Sequence, residues 1–77
     1  MNKTRRKKLE VALDLLGRAK DLVSECMEEE QDSLDNMPEN MEMSDRAVAM
    51  EEAVSSLDSA VVSIEEAEQA ISEAVSG

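Results

Sequence analysis

The feature that most constrains this chain is a seven-residue repeat. Cut at Glu51, Asp58, Glu65 and Ser72, its last third reads EEAVSSL, DSAVVSI, EEAEQAI and SEAVSG. Ala53, Ala60, Ala67 and Ala74 hold the third place of each block, and Leu57, Ile64 and Ile71 hold the seventh. Apolar residues at that spacing stay on one side of an α-helix and require a neighbouring helix along the stripe. The first half has a register of its own, LEVALDL, LGRAKDL, VSECMEE, with apolar residues at 9, 12, 13, 16, 19, 23, 26 and 27. The seam expected from the two stripes is Leu9, Leu13, Leu16, Val23 and Met27 against Val54, Leu57, Val61, Ile64 and Ile71.

The spacing predicts an all-α antiparallel hairpin as a single domain over residues 1–77: a helix over about 4–36, a corner over about 37–44 and a helix over about 45–75. Pro38 disfavours helical geometry at Met37 and removes a backbone donor, so the first helix should stop near Asn36. Ser44 followed by Asp45 fits an N-cap with a carboxylate near the positive helix end. A turn centred near residue 40 sets Leu34 opposite Ala47, Val23 opposite Leu57, Leu16 opposite Ile64 and Leu9 opposite Ile71. Glu68, which interrupts the Val stripe, then lies near Ala12 or Leu13 as a partly solvated residue that fixes register.

Val11, Leu15 and Leu22 widen the apolar arc of the first helix to about 200°, more than one neighbouring helix covers. A chain of 77 residues with no aromatic side chain has little capacity to bury a core alone. Self-association, a dimer forming a four-helix bundle, is therefore expected.

Charge is divided along the chain. Residues 1–20 carry seven cations against two carboxylates, and residues 21–77 carry Arg46 against seventeen, for a net charge of −11. Antiparallel folding is expected to bring Arg5, Arg6, Lys7 and Lys8 beside Glu65, Glu66, Glu68 and Glu73, which favours that orientation although each surface pair contributes only about 0–1 kcal/mol. The corner end has no such relief. Its carboxylates, Glu28, Glu29, Glu30, Asp32, Asp35, Glu39 and Glu42, form the candidate surface for a protein with a basic face, steered by long-range attraction. An acidic rod of this kind resembles the phosphates of a nucleic-acid strand electrostatically, and mimicry is one form the reading takes. Arg5, Arg6, Lys7 and Lys8 form a candidate site for an anionic nucleotide, the basis of a second reading as a ligand-sequestering oligomer. A structural assembly or adaptor bundle is a third.

Catalysis is not expected. The chain has no His or Tyr, and Cys26, in line with Ala12 and Ala19, is expected to pack in the core with no base to activate its thiol. Glu25 and Glu28, with Glu42 and Asp45, follow the outline of the Mg²⁺-binding pattern of all-α nucleotide pyrophosphohydrolases. Among nineteen acids that spacing arises by chance, and no metal or cofactor is expected. The cluster TRRKK has no interleaved aromatic and the remainder of the chain repels phosphate, which argues against direct nucleic-acid binding. Glu10, Asp14, Arg18, Lys20 and Asp21 break the only apolar run after the basic start, so neither a signal peptide nor a membrane span is expected, and a cytoplasmic setting is.

Several segments also carry a resemblance: MNKTRRKKLEVALDLLGRAKDLV, EEQDSLDNMPEN, the short SDR at Ser44, Asp45 and Arg46, and the closing AVSSLDSAVVSIEEAEQAI. This layout resembles a group of small acidic helical-hairpin proteins from bacterial and phage genomes. Glu30, Gln31, Asp35, Asn36, Pro38 and Glu39 carry its most specific part, and Ser33 departs from it. The group implies no settled activity. It implies a mobile-element setting, in which small acidic proteins bind host or defence proteins, and hence a phage-type counter-defence inhibitor.

Overall fold

The computed structural model describes residues 1–41 and 44–77. Two long helices, α1 (Lys3–Asp35) and α2 (Asp45–Ser76), lie against each other as a hairpin, joined by a short 3-10 turn over Glu39–Met41. The rod measures 59 × 15 × 13 Å. A 33-residue helix accounts for about 50 Å of that length at 1.5 Å per residue. No strand occurs, and no helix is long and apolar enough to cross a membrane, among the described residues.

Local chemistry sets each helix end. Asn2 caps α1, its Oδ1 accepting from the Arg5 backbone N–H at 2.8 Å. At the other end the Asn36 backbone N–H and side-chain Nδ2 both donate to the Asp32 carbonyl, at 3.0 and 2.8 Å, and Met37 N–H donates to Leu34 O at 3.2 Å. These bonds satisfy carbonyls that the helix leaves open. Pro38 follows and the chain tightens, with Met41 N–H donating to Pro38 O at 2.9 Å. Ser44 then works in both directions: its Oγ donates to Met41 O at 2.6 Å and accepts from Ala47 N–H at 3.2 Å. One hydroxyl thus closes the corner and caps α2.

The core is thin and sits at the corner. Ala47 is fully buried and Met50 is 8% exposed. Elsewhere the helices press together along half-buried stripes that include Leu9, Leu13, Leu16, Val23 and Met27 on α1 and Val54, Leu57, Val61, Ile64 and Ile71 on α2. Two helices side by side leave the outer half of each interface residue in solvent, so burial along the rod is partial by geometry.

Gly17 lies on the inner face of α1 without a backbone need for glycine, since no glycine has a positive φ. A Cβ added there meets only Glu68 Oε2, at 3.9 Å, an ordinary van der Waals contact. Gly17→Ala should therefore stabilise the hairpin by up to about 1 kcal/mol through helix propensity. A thermal melt at fixed protein concentration should show Tm raised by several degrees.

Candidate functional site

At about 100° per residue α1 divides into three sectors. The first faces α2 and carries the half-buried seam. Within it Lys20 Nζ donates to Glu68 Oε1 at 2.9 Å, the one ion pair between the helices among the described residues. Both side chains are partly covered, 29% and 23% exposed, and the hydrogen bond to Glu68 raises the Lys20 pKa above its ordinary 10.5 against the opposing effect of burial.

This pair corrects the expected register. Glu68 meets Gly17 and Lys20 rather than Ala12 or Leu13, which shifts α2 by about one turn toward the corner. The physical reason lies in the corner itself. Asn36, Met37, Pro38 and Met41 form a groove with Ser33, Arg46 and Met50. The connection folds over the first turns of α2, which extend past the last turn of α1.

The shift has a consequence at the opposite end. Lys3, Arg5, Arg6, Lys7 and Lys8 are all exposed, and α1 residues become half-buried only from Leu9. A shallow apolar groove there is lined by Met1, Arg5, Lys8 and Leu9, all from the α1 end of the chain. The expected pairing of Arg5, Arg6, Lys7 and Lys8 with Glu65, Glu66, Glu68 and Glu73 does not form. The two ion pairs among the described residues are Lys20–Glu68 and the exposed Arg18–Asp14, at 3.1 Å within α1.

The second sector is apolar and open. Val11, Leu15 and Leu22 are 60%, 59% and 64% exposed. Ala19 and Cys26 share this flank and are exposed too. Cys26 is therefore not the core residue the sequence stripe suggested. A repeat of seven on a helix of 3.6 residues per turn drifts by about 20° per block, about 40° from half-buried Ala12 to Cys26, enough to carry position 26 off the inner face.

The third sector is acidic. Glu10, Asp14, Asp21, Glu25, Glu28, Asp32 and Asp35 are all exposed and succeed one another at helical spacing. Of the candidate acidic residues, Glu28, Asp32 and Asp35 belong to this flank. Glu29 lies toward the apolar one, in a groove with Cys26, Glu30, Ser33 and Leu57. Glu30 is half-buried and Glu39 is exposed in the 3-10 turn. Glu42 lies outside the described residues. Asp35 accepts a hydrogen bond from Gln31 Nε2 at 2.8 Å. No group of three or more Cys, Asp or Glu that could hold a metal ion forms among the described residues.

Lys20 is the seam residue that sequence reasoning missed. Its signal was present: a cation at 20 interrupts the α1 stripe as Glu68 interrupts the α2 stripe, and two opposite interruptions invite pairing. Comparison with protein-family models, with curated proteins and with solved structures returns no match to the chain.

Proposed function

We propose that this chain is a non-enzymatic binding protein that self-associates and presents an acidic helical surface to a protein with a basic face. The observation that supports it is the third sector of α1. Glu28, Asp32 and Asp35 stand in solvent at the corner end, and neither ion pair among the described residues uses them. Their charge lies on the last turns of α1, where it opposes the helix dipole by a few tenths of a kcal/mol to about 1 kcal/mol. A cationic partner removes that penalty as it binds. Long-range attraction from a net charge of −11 speeds the encounter. The resemblance described above adds the setting, a phage-type counter-defence inhibitor, with nucleic-acid mimicry as one way of occupying a basic groove.

A second reading rests on the other end. Arg5, Arg6, Lys7 and Lys8 are exposed and take part in no ion pair among the described residues. In an oligomer such cations converge on an anionic nucleotide and sequester it. Native mass spectrometry of tagged chain recovered from host lysate separates the two. The first reading expects a retained basic protein, lost by at least about tenfold in the variant Glu28→Lys, Asp32→Lys, Asp35→Lys while helical circular dichroism is unchanged. Retention by that variant rejects the acidic surface. A bound mass of a few hundred daltons, released by heat and abolished by Arg5→Glu with Arg6→Glu, supports sequestration instead.

A further inference from the structure

We infer that a second copy of this chain covers the open apolar flank of α1, with the two α1 helices antiparallel and the two corners at opposite ends. The inference deepens the self-association just proposed and rests on it.

The flank reads the same in both directions. Lys8, Val11, Leu15, Leu22, Cys26 and Glu29 succeed one another at intervals of 3, 4, 7, 4 and 3. The sequence of intervals is a palindrome about the midpoint between Arg18 and Ala19, close to the middle of α1 (Lys3–Asp35). A two-fold axis through that midpoint places Leu15 on Leu22 of the second copy, Val11 on Cys26 and Lys8 on Glu29. An isologous interface requires this self-complementarity, because each patch must match its own rotated image. The exposed apolar side chains Val11, Leu15 and Leu22 then meet one another rather than water.

Charge selects this orientation over its rival. The first turn of α1 contains no acid and its last turn no base, so both ends oppose the helix dipole. The antiparallel copy brings Arg5 and Lys8 of one chain to the acidic last turns of the other and relieves both ends together. Bundling with the corners at the same end would instead set Lys8 against Lys8 and Glu29 against Glu29 of the two chains. The flank of α2 on the same side of the hairpin permits close approach. Ala53, Ser56, Ala60, Ser63, Ala67 and Ala70 lie at intervals of three and four and carry no charge. The acidic sector of α1 faces away from this contact and stays free for a partner.

The test is crosslinking of the intact chain with a short bis-maleimide, read beside sedimentation equilibrium. Antiparallel pairing separates the two native Cys26 thiols by about 22 Å, at 1.5 Å per residue. The native chain should therefore run as a two-chain species in sedimentation yet crosslink poorly. Val11→Cys should bring a thiol against Cys26 of the second copy and give efficient covalent dimer. Leu15→Asp with Leu22→Asp should sediment as one chain with helical circular dichroism retained, because both residues lie outside the α1–α2 seam. A single-chain mass for the native protein at micromolar concentration rejects self-association itself. A two-chain mass with efficient native Cys26 crosslinking, or without crosslinking in Val11→Cys, rejects the antiparallel orientation and leaves self-association standing.

Discussion

Replacing Met50 by alanine should destabilise the hairpin by about 2–4 kcal/mol, and replacing Ala47 by leucine by about 1–3 kcal/mol, the largest single-site losses in the molecule. Both follow from where the core lies. Met50 is 8% exposed and Ala47 is fully buried, whereas the remaining seam residues are half-buried. Removing the Met50 side chain empties space that α1, the corner and α2 enclose together. Enlarging Ala47 forces material into the place where the corner closes over α2, directly beside the Ser44 cap. A chain of 77 residues has roughly 4–12 kcal/mol of total stability at the usual value per residue. Either change therefore removes a large share. Val48→Ala, at a position 46% exposed and adjacent in sequence, should stay within about 0.5 kcal/mol. Thermal melts at one fixed protein concentration check all three.

The second large effect is expected at the Lys20–Glu68 pair. Lys20→Met leaves the Glu68 carboxylate against α1, partly covered and without its cation, which is costlier than losing the attraction alone. Its Tm should fall further than that of Arg18→Met, which breaks the solvent-exposed pair with Asp14. Adding Glu68→Leu to Lys20→Met should recover most of the loss, because the apolar pair suits a seam that is otherwise Leu, Val and Ile.

The pair also gives a pH signature. Folding raises the Lys20 pKa, so the native state holds this proton more tightly than the unfolded chain. Its stabilisation is complete below about pH 10.5 and is lost as pH rises through the higher folded-state value. Native protein should therefore lose Tm more steeply than the Lys20→Met, Glu68→Leu variant as pH rises above about 10.5.

The two helices, the stop at Pro38 and the Ser44 cap were legible in the sequence because each rests on local chemistry, whereas the Asn2 cap was not read. Pro38 ends one helix, Ser44 starts the next, and the seven-residue blocks say that both need a partner. Register was less legible. Counting from a symmetric turn assumes that the two helices end level, and the groove lined by Asn36, Met37, Pro38 and Met41 shows how a folded corner breaks that symmetry. The same assumption misplaced the basic cluster, which stands clear of Glu65, Glu66 and Glu73 instead of pairing with them. Cys26 misled for another reason. Places seven apart drift by about 20° per block on a helix of 3.6 residues per turn, and Cys26 ends up exposed. Val11, Leu15 and Leu22 pointed correctly to an arc wider than one helix covers, and they carry the openness of α1.

Whether a second copy covers the open flank of α1 decides which charges remain free. Small-angle scattering with mass calibration on the intact chain at micromolar concentration addresses it most directly. The antiparallel pairing of α1 helices predicts the mass of two chains in a particle of roughly 65–70 Å, at 1.5 Å per residue, only slightly longer than the 59 Å hairpin. The mass of one chain, or a two-chain rod approaching twice the hairpin length, would contradict it.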